Sequence, residues 1–413
     1  MRCLWLTRQY PWPASSGSLL YAHNLMTGLA RTGVELTVLC LDARESEERQ
    51  TPASQESIHW IRLPNRTRGR LLSVFSSLPS ASFRIATPEY RKELRVVIQQ
   101  DWDAIIANQI SMGWVLPFLQ SRWRDARYRA PLFFVTHNHE TSVKTEVAEA
   151  YVGSSIMRAG LYYDALKNRR QERQMIHAAS MTSAITAADC DQFQRDFPGK
   201  RFVVLNPGYD GKRVSRRAIT GDTPRRVVIL GSLDWIGKQQ NLRSFLQACN
   251  DLFRRKGIEV QIIGFAPPAF AEEVGGWASC ARFIGRVPDF TPYLQEARIG
   301  VMPDTVGSGF KHKYLSYIFN GLPVATIGSQ LRDLPVVPGE DVLTADTPLG
   351  LADVVAAAVD NLDLLNRLQT SALAKCDGLF DWSETAQTFR AALNQMVETE
   401  VGRGAPSSSD RLR

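Results

Sequence analysis

Two clusters of side chains in this sequence have the types and spacing for chemistry. In the first, a glycine-bearing turn, Gly307-Ser308-Gly309, passes through Phe310 into two lysines, Lys311 and Lys313. An apolar-periodic stretch follows, Tyr314, Leu315, Ile318 and Phe319, which Gly321 ends. Glycine lets backbone N–H groups approach an anion without interference from Cβ, a helix N-terminus adds partial positive charge, and a first-turn lysine adds a full one. That combination suits a diphosphate; the plainer alternative is a ligand-free loop with solvated lysines. The second cluster, His137-Asn138-His139-Glu140, follows the apolar run Pro131 to Thr136. Imidazole and carboxylate at a strand's carboxyl end suit proton transfer or the binding of sugar hydroxyls near neutral pH. No nearby motif supplies a third ligand, so metal ligation is not expected.

The elements that must hold these clusters alternate between strand and helix. Arg2 to Thr7 reads as a buried strand, and the proline-rich loop Arg8 to Ser18 leads to a helix over Leu19–Arg31, with Gly33 as its stop and Val34–Leu41 as the second strand. Gly17 thus sits in a loop at the carboxyl end of the sheet, where ligands of open α/β sheets collect. Further strands are expected at Asp103–Asn108, Pro131–Thr136 and Met181–Thr186, the last preceded by a helix over Glu172–Ser180. After Val203-Val204-Leu205 the turn Asn206-Pro207-Gly208-Tyr209-Asp210 closes this half, and the arginine-, glycine- and proline-rich stretch Arg213–Arg225 reads as a linker. The second half repeats the pattern with strands at Arg226–Leu230, Glu259–Gly264, Ile299–Pro303 and Leu322–Ile327, then helices over Pro348–Gln369 and Trp382–Thr399. The expected organisation is an N-terminal Rossmann-like domain over 1–210, a second over 211–385, a helix over 386–400 that crosses back to the first, and a disordered polar tail over 401–413.

The totals are compatible with this. At 413 residues the chain suits two cores rather than one, and 44% hydrophobic with 22% charged residues is a globular composition. No run of about 18 apolar residues is present, which excludes a spanning helix, and Arg8 and Gln9 cut the opening apolar run too short for a signal peptide. Six scattered cysteines without CxxC or His-paired spacing suggest neither zinc nor a disulfide framework, so a reducing cytoplasm is expected. The net charge of +7 is not gathered into a basic motif with interleaved aromatics; anionic ligands or an anionic membrane surface account for it, and nucleic acid is not expected. Arg66, Arg68 and Arg70 ahead of Leu71, Leu72, Val74, Phe75 and Leu78 describe either a segment resting on an acidic bilayer or a core-packing helix with a solvated basic flank.

The stretch Asp304–Ile327 resembles the donor-diphosphate loop and helix of glycosyltransferases with the GT-B fold, particularly family 4. Gly307, Ser308, Gly309, Lys313, Gly321, Pro323 and Val324 fill that frame, and His137-Asn138-x-Glu140 is similar to that family's His-Asn-x-Glu signature. The resemblance implies two Rossmann-like domains facing a central cleft. It implies His137, His139, Glu140 and Lys313 as catalytic residues, and Gly17, Gly231, Ser232, Lys238, Gly264, Arg286, Gly307, Ser308, Gly309, Phe310, Lys311 and Ser316 as donor-binding. The family's helix glutamate, which contacts the ribose, is replaced by Ser316, a departure shared with the glucuronosyltransferase of xanthan assembly, to which this segment is also similar. A serine hydroxyl lacks the charge-assisted strength of a carboxylate.

The activity implied is transfer of a sugar from a nucleotide-diphosphate sugar to a hydroxyl acceptor, without metal or other cofactor. The expected acceptor is a lipid-linked glycan of polysaccharide assembly, handled in the cytoplasm or peripherally on the inner membrane face. Three alternatives stay open: a nucleotide-sugar 2-epimerase, transfer to a small natural-product acceptor, and a weakly active partner in a glycan assembly complex. Retaining and inverting outcomes are both open.

Overall fold

The computed structural model describes residues 1–14, 16–42, 57–69, 71–125, 128, 130–151, 153–214, 217–234, 236–305, 310–331 and 334–404. Contacts divide the chain into two units, one of Met1–Pro207 together with the chain from Trp382 onward, the other of Gly208–Asp381.

In the first unit seven strands, β1 (Arg2–Gln9), β2 (Glu35–Asp42), β3 (Ile58–Pro64), β4 (Ala104–Asn108), β5 (Leu132–Val135), β6 (Met181–Ala184) and β7 (Phe202–Val204), form one sheet in the order β3-β2-β1-β4-β5-β6-β7. In the second, six strands, β8 (Arg226–Leu230), β9 (Glu259–Ile263), β10 (Ala281–Gly285), β11 (Ile299–Met302), β12 (Val324–Ile327) and β13 (Leu343–Ala345), lie in the order β10-β9-β8-β11-β12-β13. Every pairing within these sheets is parallel. The apolar runs explain this: Cys3 to Leu6 are wholly buried, as strands covered by helices on both faces must be. Both sheets reverse strand order beside their first strand, between β1 and β4 and between β8 and β11. These switch points open a crevice at the strands' carboxyl ends, and ligands of doubly wound sheets bind there.

Each unit has its own apolar core. The last helix, Trp382–Gly404, belongs to the first unit: Phe389 packs on Trp5 and Phe133 at ring distances of 5.9 and 4.8 Å, and a Cβ on Gly28 would lie 3.0 Å from the Ala386 Cβ. All six cysteines are buried free thiols.

Several boundaries differ from the sequence expectation, each for a local reason. The first helix starts at Gly17, because the Ser16 side chain accepts a hydrogen bond from Leu19 N and caps it there. The terminal helix starts at the expected Trp382, four residues before the crossing segment placed at 386–400, with the Trp382 ring set against Tyr21, and it runs on to Gly404; of the tail expected to be disordered, only 405–413 lie outside the described residues. Pro79 interrupts the stretch over residues 66–83, which forms a 3-10 turn at Leu71–Phe75 and a separate helix at Ser80–Ile85 instead of one amphipathic helix. The helix expected over Glu172–Ser180 is the end of a 24-residue helix, Ser155–Ala178, preceded by another at Glu140–Ala150. The presumed linker Arg213–Arg225 is docked on the second unit: the Arg217 guanidinium donates to the carbonyls of Gly321, Gln295 and Ala297, and Ile219 is buried. Burial in turn lowers the Arg217 pKa to about 10.

Candidate functional site

In the second unit the switch point between β8 and β11 gathers residues from four segments. β8 ends at Leu230, and Gly231 turns away with φ +140°, its N–H donating to Ile263 O at 2.9 Å. Gly264, after β9, has φ +134° and lies so close that a Cβ there would fall 2.2 Å from the Gly231 carbonyl oxygen. Across Gly231 lies the end of Lys313: a Cβ at Gly231 would meet Lys313 Cε and Nζ at 3.3 Å. The helix His312–Phe319 supplies this lysine from its first turn, and Tyr317 anchors the helix beneath the strands, its hydroxyl accepting from Leu230 N at 2.8 Å. A side chain at Gly300 would overlap the Tyr317 ring, since a Cβ there would fall 2.7 Å from Cγ.

Lys313 is held from below. Its ammonium lies 3.4 Å from Asp304 Oδ2 just past β11, while Asn241 Nδ2 donates to Asp304 Oδ1 at 3.4 Å and Thr305 Oγ1 donates to Asn241 Oδ1 at 2.9 Å. Burial works to raise the Asp304 pKa, but Lys313 and Lys311, with hydrogen bonds from Lys313 and Asn241, outweigh it and hold the carboxyl below the usual range. Asp304 is therefore a carboxylate at neutral pH. His312 between the lysines is kept neutral, burial lowering its pKa to about 4. Lys311 and Lys313 both act on Asp304, Asp210 acts on His312 between them, and the Lys313 side chain is 24% exposed, within reach of an anion above Gly231.

The other expected donor residues are placed variously. Gly307, Ser308 and Gly309 lie outside the described residues. Lys311 is the N-cap of the lysine-bearing helix, and Ser316 is half-buried on it. Phe310 is buried, its ring 5.6 Å from Phe380 and 5.7 Å from His312, so it packs rather than lines. Ser232 follows Gly231 and is half-buried; Lys238 pairs with Asp234 at 3.3 Å in the first turn of Ile236–Lys256; the Arg286 guanidinium lies over the Phe265 ring at 4.7 Å.

The first unit makes its own cluster at the β1/β4 switch point. Gln109, immediately after β4, is a buried non-glycine residue with φ +76°, a strained conformation of the kind that collects at functional sites. Its Nε2 donates to Ser18 Oγ at 2.5 Å and lies 3.3 Å from His137 Nδ1. Gln109 thereby joins the start of the first helix, which carries Gly17 and Ser18, to the His137 segment. His137 Nε2 lies 2.8 Å from Asn108 Oδ1, which sets the ring proton on Nε2 and the acceptor on Nδ1. His139 turns the other way: its Nδ1 accepts from Ser142 N and caps Glu140–Ala150, its Nε2 pairs with Asp196 at 3.0 Å, and its ring packs on Phe193. Glu140 opens that helix half-buried, Oε1 accepting from Asn138 Nδ2 at 3.1 Å and Oε2 3.8 Å from Lys144 Nζ.

Asp304, Asn241, Gln109 and Glu172 are the residues that sequence reasoning missed. Glu172 is buried and accepts from Glu140 N at 2.8 Å, Thr141 N at 3.1 Å and Thr141 Oγ1 at 2.5 Å, fixing the first turn that carries Glu140. Burial pushes its pKa up, and His139 and the Thr141 hydroxyl pull it partly back. No local motif marks it, because its partners lie about thirty residues upstream. Position was the available signal for Gln109, which follows a strand's carboxyl end. Glu172→Ala is expected to destabilise the protein by about 2–3 kcal/mol, since it leaves two amides and a hydroxyl, all half-buried, without their acceptor. Denaturant unfolding against Glu172→Gln measures this; equal midpoints for wild type and Glu172→Ala would contradict it.

Comparison with known proteins bears on both units. Residues 16–208 match the model of a glycosyl transferase 4-like domain, and residues 224–361 that of glycosyl transferases group 1. Among solved structures the chain is similar to sucrose-phosphate synthase from Thermosynechococcus elongatus, with 16% identity, a TM-score of 0.72, and coverage of 97% of this chain and 100% of that one. It is also similar to Anabaena Alr3699/HepE in complex with UDP and glucose (15% identity, TM-score 0.65, 95% and 99% covered). A third is WaaG, a glycosyltransferase involved in lipopolysaccharide biosynthesis (15%, 0.66, 95% and 99%). At such identities these likenesses establish the fold, which is GT-B. A search of curated proteins returned no match.

Proposed function

Since the chain belongs to the glycosyltransferases, with both halves matched and the GT-B fold throughout, we propose that it transfers a sugar from a nucleoside diphosphate sugar to the hydroxyl of a lipid-linked glycan. The observation that carries the donor half is the end of Lys313 laid across Gly231 at the second switch point, held by Asp304. As the anomeric carbon–oxygen bond breaks, its electron pair passes to the diphosphate, and the growing negative charge needs a fixed positive group beside it. In this reading Lys313, with Lys311 and the start of its helix, supplies that charge without a divalent cation. Among the described residues no three of His, Cys, Asp and Glu stand together as a metal site.

The first unit takes the acceptor in this reading. The acceptor oxygen bonds to the anomeric carbon and gives up its proton. Glu140 is the group assigned to receive it, because the single donor or acceptor position of each ring nitrogen of His137 and His139 is engaged, while the Glu140 carboxylate keeps further lone pairs beyond its contacts with Asn138 and Lys144 and stands at the helix start that Glu172 fixes. Structures of Alr3699/HepE hold UDP or UDP-glucose, so uridine diphosphate sugars are the first donors to try. A lipid-linked acceptor agrees with the involvement of WaaG in lipopolysaccharide biosynthesis, and with a peripheral place at the inner membrane face; no helix among the described residues is long and apolar enough to cross a membrane.

The test is a set of donors and a lipid-linked glycan acceptor incubated with the purified chain, with and without EDTA. Sugar transfer that survives chelation is expected. Loss of transfer in EDTA restored by added magnesium or manganese would overturn the role given to Lys313, and epimerised donor formed without acceptor would overturn transfer itself.

A further inference from the structure

Large apolar side chains are not scattered evenly over this surface. Of the fourteen that are exposed among the described residues, eight fall in two stretches of the first unit, the 3-10 turn Leu71–Phe75 and the opening of the helix Ser155–Ala178. Phe75 is 91% exposed and Ile156 86%, with Leu72, Val74, Met157 and Leu166 each at least half exposed. From Ser155 to Gly160 every residue is exposed, so the first turns bury little against the described residues. A helix end that leaves Ile156 and Met157 this exposed among the described residues is expected to have an external partner.

The two stretches are tied together. Lys167 Nζ donates to Ser73 O at 2.8 Å and lies 4.1 Å over the Tyr163 ring, while Asp164 Oδ1 accepts from Ser80 N at 2.7 Å. The apolar turn and the helix thus share one face. Along the helix, Arg158, Tyr162, Leu166, Arg170 and Arg173 recur every three or four residues, a stripe of arginine with aromatic and aliphatic side chains between. Beside it opens a cavity of about 920 Å³ lined by Leu166, Lys167, Arg169, Arg170 and Arg173.

We propose that this face, formed by residues 72–75 and the exposed side of the helix from Ile156 to Arg173, docks the protein on an anionic lipid surface, the apolar tips entering the headgroup boundary and the arginines meeting phosphates. Charge decides between this occupant and a second copy of the chain. Two-fold pairing would set the arginine stripe against itself, in a protein already carrying a net charge of +7. Exposed tyrosines beside aliphatic tips also suit the interfacial zone of a bilayer. The inference rests on the reading of the acceptor as lipid-linked, and it puts the docking face on the unit that takes that acceptor.

The test uses the full chain with vesicles of phosphatidylcholine alone or mixed with phosphatidylglycerol, followed by sedimentation. Two variants accompany it: Phe75→Ser with Ile156→Ser, and Arg169→Glu with Arg170→Glu and Arg173→Glu. The wild type is expected to partition onto the phosphatidylglycerol vesicles and not onto phosphatidylcholine alone, with each variant weaker by about tenfold or more. Melting temperature and UDP binding by calorimetry should match the wild type in both, which separates this outcome from the donor reading. Wild-type indifference to anionic vesicles, variants that bind as well as wild type, or a wild-type dimer that these substitutions dissolve would each overturn the docking face. A chain that binds vesicles but not UDP would leave it standing and sink the donor assignment.

Discussion

Lys313→Ala is expected to lower turnover of a nucleoside diphosphate sugar by about 10²–10³-fold, the cost of removing one preorganised group from a developing charge. The effect should lie mainly in kcat. In the ground state the diphosphate's charge is already shared with Lys311 and the helix start, whereas the additional charge that forms as the sugar departs has Lys313 as its nearest fixed cation in this reading. Lys313→Arg should recover only part of the loss. The ammonium lies against Gly231, where a Cβ would come within 3.3 Å of it, and a planar guanidinium is too broad for that gap. Asp304→Asn separates position from charge: it removes the anionic partner at 3.4 Å, so donor affinity should hold or improve while kcat falls with the loss of a fixed lysine. Single-turnover rates with donor binding by calorimetry resolve the two. A Lys313→Ala enzyme with wild-type kcat would remove the lysine from the mechanism.

How much of this was legible in the sequence depended on whether the forces were local. The glycine stop, the first-turn lysine and the apolar period of Tyr314, Leu315, Ile318 and Phe319 act within one helix, and they place His312–Phe319 to within two residues. The buried strands were equally plain, since an unbroken apolar run such as Val227 to Leu230 has few other uses. What depended on distant partners was hidden. His137 and His139 look interchangeable in the sequence, yet one faces Gln109 and Asn108 while the other caps a helix and pairs with Asp196. Arg217 looks like a linker residue until its guanidinium is seen to hold three carbonyls of the second unit. The opening of the helix Ser155–Ala178 was not legible, because its apolar side chains, Ile156 and Met157, are adjacent in sequence and exposed rather than repeated along a buried face.

Gly264→Ala is the substitution expected to cost most in stability, about 3 kcal/mol or more, with a donor affinity that falls alongside it. Two penalties coincide there. With φ at +134°, an L side chain is strained whatever the space, and the new Cβ would stand 2.2 Å from the carbonyl oxygen of Gly231 and 2.6 Å from its carbon. Those are backbone atoms tied to β9 through the Gly231 N–H, so relief requires moving the loop over which Lys313 lies. Two other glycines separate the contributions. Gly285 has φ +83° and open space around its Cβ position, so Gly285→Ala carries only the backbone strain, about 1 kcal/mol. Gly231→Ala, at φ +140°, meets only the flexible end of Lys313; it should cost less stability than Gly264→Ala but displace the ammonium, so its turnover should fall out of proportion to its unfolding free energy. Denaturant unfolding and kcat for the three variants together decide the matter: a Gly264→Ala protein no less stable than Gly285→Ala would mean that the two loops do not touch, and that the floor assigned to the diphosphate is not built from them.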